Sequence, residues 1–170
     1  IRGDCFSDEL ASIMKRGGCH QVLLGIETGN AQIAERMGKT ISRERYLEAV
    51  KIAHRNGLEV RGSFIIGHMG ETWETMEDKL NFAMELDCDL FQLSINTPYP
   101  GTALYNEAAQ QGMLMHRNWY NYGQGEVIIN QPQLPAEDIY RFYQYAFRKF
   151  YLRPMPIFRL LKRLTTFRHL

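Results

Sequence analysis

Three apolar stretches alternate with segments of helical periodicity, and this order constrains the fold more than any other feature of the chain. The stretches cover residues 20–27, 58–66 and 90–95, and the segments between them carry apolar residues at helical spacing. Such alternation is typical of βα units in a mostly parallel sheet. We therefore predict an α/β fold built on three parallel strands, with a weaker fourth strand predicted at 127–129.

Helix boundaries are visible around these stretches. The first predicted helix, residues 8–16, is followed by a glycine pair, and Thr72 is a predicted N-cap for the helix before the third strand. After Pro135 the pattern is helical again, with a break predicted at Pro154 and Pro156. A last amphipathic helix is predicted over 157–168.

The two faces of the strands differ in polarity. Side chains alternate along a strand, so each residue can be assigned to a face. One face is aliphatic and comprises Val22, Leu24, Ile26, Val60, Phe64, Ile66, Phe91, Leu93 and Ile95. The opposite face comprises Leu23, Gly25, Glu27, Glu59, Arg61, Ser63, Ile65, Gln92, Ser94 and Asn96. A doubly wound sheet is apolar on both faces, whereas a barrel that holds a polar ligand presents this one-sided pattern, so we predict a barrel wall.

In barrels of this kind the chemistry lies at the carboxyl ends of the strands. Glu27 ends an apolar strand, where a carboxylate is costly unless it meets a ligand or a salt-bridge partner. Arg61 lies within the second strand, and a carboxylate ligand or an ion pair with Glu59 would satisfy it equally well. His68 is the one histidine on the predicted rim, which makes it a candidate for a proton or substrate contact.

Several classes of function are excluded or disfavoured. No apolar run approaches the roughly 18 residues that a membrane span needs. The glycine-bearing turn over 63–72 lacks the lysine of a P-loop and the glycine spacing of a dinucleotide fingerprint. Cys5, Cys19 and Cys88 are too widely spaced to indicate a disulfide framework or a metal site, which favours a reducing, cytoplasmic environment. The chain shows no leader sequence, and we expect a fragment of a longer protein.

Charge is distributed unevenly. Residues 139–170 contain eight Lys and Arg and no Asp or Glu, whereas residues 1–138 contain 12 basic and 19 acidic residues. A basic amphipathic arm is typical of a solvated helix, of contact with an anionic membrane surface, of nucleic-acid binding or of packing on an acidic neighbouring domain.

Three segments, 25–30, 64–72 and 96–105, resemble in order and spacing the latter half of the radical S-adenosylmethionine (SAM) enzymes. The similarity is strongest to the subgroup with an upstream cobalamin-binding domain. It implies a partial (β/α) TIM-like barrel, a half-barrel fragment with C-terminal helices. We expect the barrel part to cover residues 1–112 and a helical extension to cover 113–170.

The resemblance also implies a chemistry. In this family a 4Fe-4S cluster cleaves SAM reductively, for hydrogen abstraction or methyl transfer, and this chain would supply cofactor-binding wall. Glu27 matches the position that meets the ribose or amino group of SAM, Ile65 and Gly67 match the adenine-contacting motif, and Asn96 begins the loop after the last strand. By parity, Arg61, Ser63 and Ser94 complete the predicted cofactor-facing set.

The chain departs from the family at one decisive point. It lacks the cluster motif C-x3-C-x2-C, so we expect this chain alone to be inert. The cluster ligands, and a cobalamin domain where there is one, would lie in a missing N-terminal half that is also its main partner. The expected substrate is a small or lipid-like molecule.

Two other readings of the residues stay open. One is a non-catalytic half-barrel binding module anchored by its basic arm to a membrane or nucleic acid. The other is a lyase-type barrel enzyme that uses Glu27 and Arg61.

Overall fold

The fold is organised around a three-stranded parallel sheet. The computed structural model describes residues 1–39, 42–116, 118, 120, 122–123 and 125–166. The strands are β1 (Gln21–Glu27), β2 (Glu59–Ile66) and β3 (Leu90–Ile95), hydrogen-bonded in the order β1-β2-β3. The predicted α/β fold with parallel strands is confirmed.

Seven α-helices are present among the described residues. They are α1 (Asp8–Arg16), α2 (Ala31–Arg36), α3 (Arg43–Arg55), α4 (Trp73–Glu85), α5 (Ala103–Gln110), α6 (Ala136–Tyr151) and α7 (Pro154–Thr166). The N-cap predicted at Thr72 is confirmed, because its hydroxyl accepts a hydrogen bond from the backbone N–H of Thr75 and Thr75 returns the contact. Asn30 caps α2 in the same way, through the N–H groups of Gln32 and Ile33.

The aliphatic face of the sheet is the buried one. Each of its nine predicted residues is at most 5% exposed. Aromatic residues of α6 pack into this core: Phe150 stacks on Phe91 at 4.9 Å between ring centroids, and Phe142 meets Trp73 edge-on at 5.2 Å. On the opposite face Leu23 is 43% exposed and the polar residues are partly exposed. The one-sided pattern predicted from the sequence is therefore present.

The two edge strands of the sheet have different hydrogen-bond partners. At β3, the Tyr151 hydroxyl accepts a hydrogen bond from the N–H of Phe91 and donates one to its carbonyl, both at 3.0 Å. At β1, the amino group of Ile1 donates to the Leu23 carbonyl at 2.6 Å, and the N–H of Gly25 donates to the Ile1 carbonyl at 3.2 Å. This is the bonding pattern of a parallel strand, so Ile1 continues the sheet by one residue.

The C-terminal part differs from the prediction in three ways. Residues 127–129 are buried but form only one antiparallel bridge, between Ile129 and Leu114, rather than a fourth strand. Pro154 and Pro156 lie in the first turn of α7, where a missing N–H costs nothing, so the helix starts earlier than residue 157. Its predicted end at residue 168 lies outside the described residues. Helix α5 was not predicted.

Candidate cofactor site at the strand ends

The strand register arranges the polar face in rows. From the amino ends upward the rows are Leu23, Arg61 and Leu90; then Gly25, Ser63 and Gln92; then Ile65 and Ser94. Gly67 and Asn96 follow the strands at the rim. A strand rises about 3.3 Å per residue, so Arg61 lies roughly 13 Å below Ile65 along β2. The predicted site residues thus share one face, but Arg61 is near its amino end.

Glu27 sits at an irregular strand end. The register shifts between Gly25 and Glu27, and Glu27 has a φ of 65°, which is uncommon for a residue with a side chain. Its Oε1 lies 3.7 Å from the point where a Cβ on Gly25 would stand, so the carboxylate covers the glycine on the polar face. Lys39 Nζ pairs with the same oxygen at 3.1 Å. The salt bridge considered as an alternative exists, and it engages one oxygen of the carboxylate.

The turn after β2 is held by a buried ion pair. Glu71 is 0% exposed, and its Oε2 accepts hydrogen bonds from the N–H groups of Gly67 at 2.7 Å and His68 at 3.0 Å. Its Oε1 pairs with the ammonium of Lys79, which also donates to the carbonyl of Ile65. Burial lowers the pKa of Lys79, and the negative charge of Glu71 opposes that shift.

Two further side chains fix this turn from outside. Gln131 accepts a hydrogen bond from the N–H of Gly70 at 2.8 Å and donates to the carbonyl of His68 at 2.9 Å. Arg36 of α2 donates to the carbonyl of Met69 at 2.9 Å. The backbone of the turn is therefore tied to α2, α4 and the segment before α6.

His68 is a neutral side chain with one open hydrogen-bonding position. Burial, aided by the positive charge of Lys79, lowers its pKa to about 3. Its Nδ1 lies 3.1 Å from the amide nitrogen of Asn96, which can only donate, so Nδ1 accepts and the proton is on Nε2. Nε2 is buried and has no hydrogen-bond partner within the described part of the chain. A ligand acceptor would satisfy it.

His68 and Asn96 face a cleft of about 370 Å³ at the carboxyl ends of the strands. Helices α2 and α5 form its sides. Its lining residues are Ile33, Arg36, Met37, His68, Met69, Asn96, Ala103, Leu104 and Glu107. The mixture of apolar and hydrogen-bonding side chains suits a small organic ligand.

A second cleft, of about 430 Å³, runs along β3 beside α6. Arg61, Gln92 and Ser94 line it together with Tyr143 and Phe147. The structure thus divides the predicted set: Gly67 and Asn96 lie by the rim, whereas Arg61 and Ser94 line this second cleft. Gln21 donates to Glu59 at 3.3 Å, which gives that carboxylate a neighbour in β1.

The cysteines do not fit an iron–sulfur cluster. Cys5 is exposed, Cys19 is partly exposed and Cys88 is buried, and burial raises the pKa of the Cys88 thiol to about 12. A cluster needs several thiolates that converge on one point. Across residues 1–39, 42–116 and the described part beyond, no three His, Cys, Asp or Glu side chains are grouped as metal ligands.

The basic arm is partly used for packing. Arg159 of α7 pairs with Asp87 at 2.6 Å and with Asp89 at 3.4 Å, which ties the helix to the loop before β3. Leu152, Met155, Phe158 and Leu161 are each more than half exposed on the same part of the chain. Within the described residues, no helix combines the length and the apolarity that crossing a bilayer requires.

Lys79 and Glu71 were missed as functional candidates, although the sequence carried a signal. Lys79 falls on the apolar stripe of α4, three residues after Met76 and four before Ala83. A lysine at a buried helix position requires a buried carboxylate partner. Glu71, just before α4, is the acidic residue close enough along the chain to be that partner.

Comparison with known proteins identifies the fold and its relatives. The profile of the radical SAM superfamily matches residues 1–83. An uncharacterized methyltransferase of Pyrococcus horikoshii is 40% identical over 90% of this chain, and the match covers 33% of that protein. Bacteriochlorophyllide d C-8(2)-methyltransferase of Chlorobaculum tepidum is 27% identical over 66% of the chain and 25% of its own length. The chain therefore spans about a quarter to a third of these relatives.

Solved structures share the fold. The radical SAM methyltransferase TsrM of Kitasatospora setae, solved with cobalamin and a 4Fe-4S cluster, matches 82% of this chain and 28% of its own, with a TM-score of 0.57 and 21% identity. Coproporphyrinogen III oxidase (HemN) of Escherichia coli, also a radical SAM enzyme, matches 88% of this chain and 31% of its own, with a TM-score of 0.62 and 16% identity. The predicted partial barrel is confirmed. The sequence match over residues 1–83 assigns that part of the chain to the radical SAM superfamily, and the solved structures show that the fold is shared.

Proposed function

We propose that the complete protein is a radical SAM methyltransferase and that this chain supplies the barrel wall against which SAM binds. The observation that carries the proposal is the 40% identity, over nine tenths of the chain, to a protein named as a methyltransferase. The polar face and its rim support it, because they offer hydrogen-bonding groups beside an open cleft. When bound, SAM would supply either a methyl group or the adenosyl fragment that abstracts hydrogen.

The residues of this chain fit the adenosyl part of SAM. Glu27 has a carboxylate oxygen beyond the one paired with Lys39, and a carboxylate accepts from ribose hydroxyls or an amino group. Ile65 offers an apolar side chain on the polar face, and Gly67, with a φ of 83°, begins the turn that carries His68; a contact of Gly67 with adenine stays a prediction. Ser63, Ser94 and Asn96 add hydrogen-bonding groups. A contact between Arg61 and the SAM carboxylate stays a prediction, because Arg61 lies two rows below Ile65 on the polar face.

The remaining cofactors belong to the part of the protein outside this chain. Because Cys5, Cys19 and Cys88 do not converge, the 4Fe-4S cluster needs ligands from elsewhere, and a cobalamin would need a further domain. That part of the protein is the expected partner of the polar face. We propose a small-molecule substrate and a cytoplasmic location, where free thiols are maintained.

The proposal is tested with the complete protein, purified without oxygen and reconstituted with iron and sulfide. With SAM, a reductant and cobalamin, we expect formation of S-adenosylhomocysteine or 5′-deoxyadenosine. Glu27→Gln should raise the KM for SAM about tenfold, the loss of roughly one charge-assisted hydrogen bond. Glu35→Gln, on the exposed side of α2, is the matched control. A wild-type protein that neither binds nor consumes SAM would exclude the function.

We propose separately that α7 contacts an anionic membrane surface. The exposed Met155, Phe158 and Leu161 would enter the headgroup region, and the net positive charge of residues 139–170 would attract the helix to the anionic surface. The expected result is flotation with vesicles that contain phosphatidylserine but not with phosphatidylcholine vesicles, abolished by salt and by Phe158→Ser. Tyr120→Ser, at another exposed aromatic residue, is the control. Salt-sensitive binding to RNA alone would contradict the membrane proposal.

A further inference from the structure

The buried ion pair between Glu71 and Lys79 is the most unusual feature of the described residues that the proposed function does not use. Lys79 is 2% exposed and Glu71 is 0% exposed. The pair links α4 to the turn that follows β2. Both side chains point away from solvent, so neither can take part in chemistry at the surface of the cleft.

The stability of the fold does not explain why these two residues are charged. Removing two charges from water costs several kcal/mol per ion, and an apolar pair of similar volume often stabilises a protein as well or better. What an apolar pair lacks is hydrogen bonding. Here the pair reaches three backbone groups, namely the carbonyl of Ile65 and the N–H groups of Gly67 and His68.

These contacts determine the shape of a short backbone segment. Gly67 has a φ of 83°, in the left-handed region, and one carboxylate oxygen of Glu71 binds the two successive N–H groups of the turn. Lys79, through its hydrogen bond to the carbonyl of Ile65, orients the peptide group just before this turn. Together they present the Ile65 side chain on the polar face and the His68 imidazole beside Asn96 at the rim cleft.

We propose that Lys79 and Glu71 are positioning residues of the SAM site, which hold residues 65–68 in the binding shape before the cofactor arrives. This inference rests on the proposed function, because it assigns the segment to SAM. Neither residue is a catalytic residue. Their effect is on affinity, since a turn that is already ordered loses less conformational entropy when it binds.

The test compares two double variants of the complete protein. Glu71→Gln/Lys79→Met keeps an acceptor for the two N–H groups but removes both charges and the bond to Ile65. Glu35→Gln/Lys51→Met makes the same replacements at exposed positions of α2 and α3. We expect the first variant to raise the Kd and KM for SAM about tenfold, as typically follows loss of a supporting contact, with kcat within about twofold. The control should match wild type.

The KM and kcat values separate positioning from general damage. A purely structural role would reduce the folded fraction, and so kcat, while leaving the KM for SAM unchanged, and that outcome would overturn the inference. Equal SAM affinity in wild type and variant would overturn it as well, but would leave the proposed function intact. A wild-type protein that has no affinity for SAM would exclude both the inference and the proposed function.

Hydrogen exchange on the wild-type protein gives a test that does not depend on the variants folding. The amides of Gly67 and His68 should be protected without SAM and should change little when SAM is added. Fast exchange that becomes slow only with SAM would show that the cofactor orders the turn, and would overturn the inference.

Discussion

Among single residues, His68 shows how surroundings change the chemistry of a side chain. In solution an imidazole titrates near neutral pH, but here burial and the charge of Lys79 lower its pKa to about 3. It therefore stays neutral across the physiological range. A neutral imidazole with an unpaired Nε2–H can donate a hydrogen bond, and it is not suited to be an acid that gives up a proton at pH 7.

The depressed pKa predicts that acid destabilises the fold through His68. Between pH 6.5 and 3 the unfolded chain binds a proton at this residue and the folded chain does not, so the stability falls as the pH drops through that window. The slope is up to about 1.4 kcal/mol per pH unit. Urea unfolding at several pH values should show a weaker acid dependence for His68→Gln than for wild type. His20→Gln, at an exposed position, is the control, and identical curves for all three would contradict the prediction.

At the level of secondary-structure elements, the edge of β3 depends on one hydroxyl. An unpaired edge strand exposes N–H and C=O groups that can pair with another chain. Tyr151, at the end of α6, satisfies both groups of Phe91, and its ring packs against Phe147 and Phe150. The helix therefore covers the core and also closes part of the sheet edge.

Tyr151→Phe should keep the ring packing and lose both hydrogen bonds. We expect a loss of about 1–3 kcal/mol in the free energy of unfolding, because two backbone groups are left unpaired. Urea unfolding measures the loss, and Tyr120→Phe, at a tyrosine that is 97% exposed, should be neutral. Unchanged stability in Tyr151→Phe would show that water replaces the hydroxyl.

The elements also show how far the sequence alone determines the structure. Alternation predicted which residues of β2 and β3 face the core, because parity depends only on strand geometry, and Phe64 and Ser63 follow it. Helix α5 was missed because it is only eight residues long and buries a single residue, Ala108, so it shows little helical periodicity. The contact of His68 with Asn96 and the unpaired Nε2 of His68 depend on distances across the fold, which spacing along the chain does not contain.

For the whole molecule, the main consequence is that the partial barrel presents its polar face without a group of cluster ligands among the described residues. The polar face is partly exposed, and within the described residues the three cysteines form no group that could hold a metal. Under the proposed function, the complete site requires residues outside this chain.

The chain alone should consequently take up no 4Fe-4S cluster. After incubation with iron and sulfide without oxygen, we expect no charge-transfer absorbance near about 400 nm and no bound iron after desalting, because no set of thiolates converges. The complete protein, treated identically, is the positive control. A stable cluster on the 170-residue chain would contradict the assignment of the ligands to another part of the protein.

Because the two edges of the sheet differ, a further β-strand would add beside β1 and not beside β3. Tyr151 blocks continuation beyond Phe91, whereas the bonds between Ile1 and β1 are those of an incoming parallel neighbour. Under the proposed function, the chain would therefore suit split-protein complementation: a separately expressed piece of the complete protein would add its strand at the β1 edge, and SAM consumption would report that the two pieces had associated.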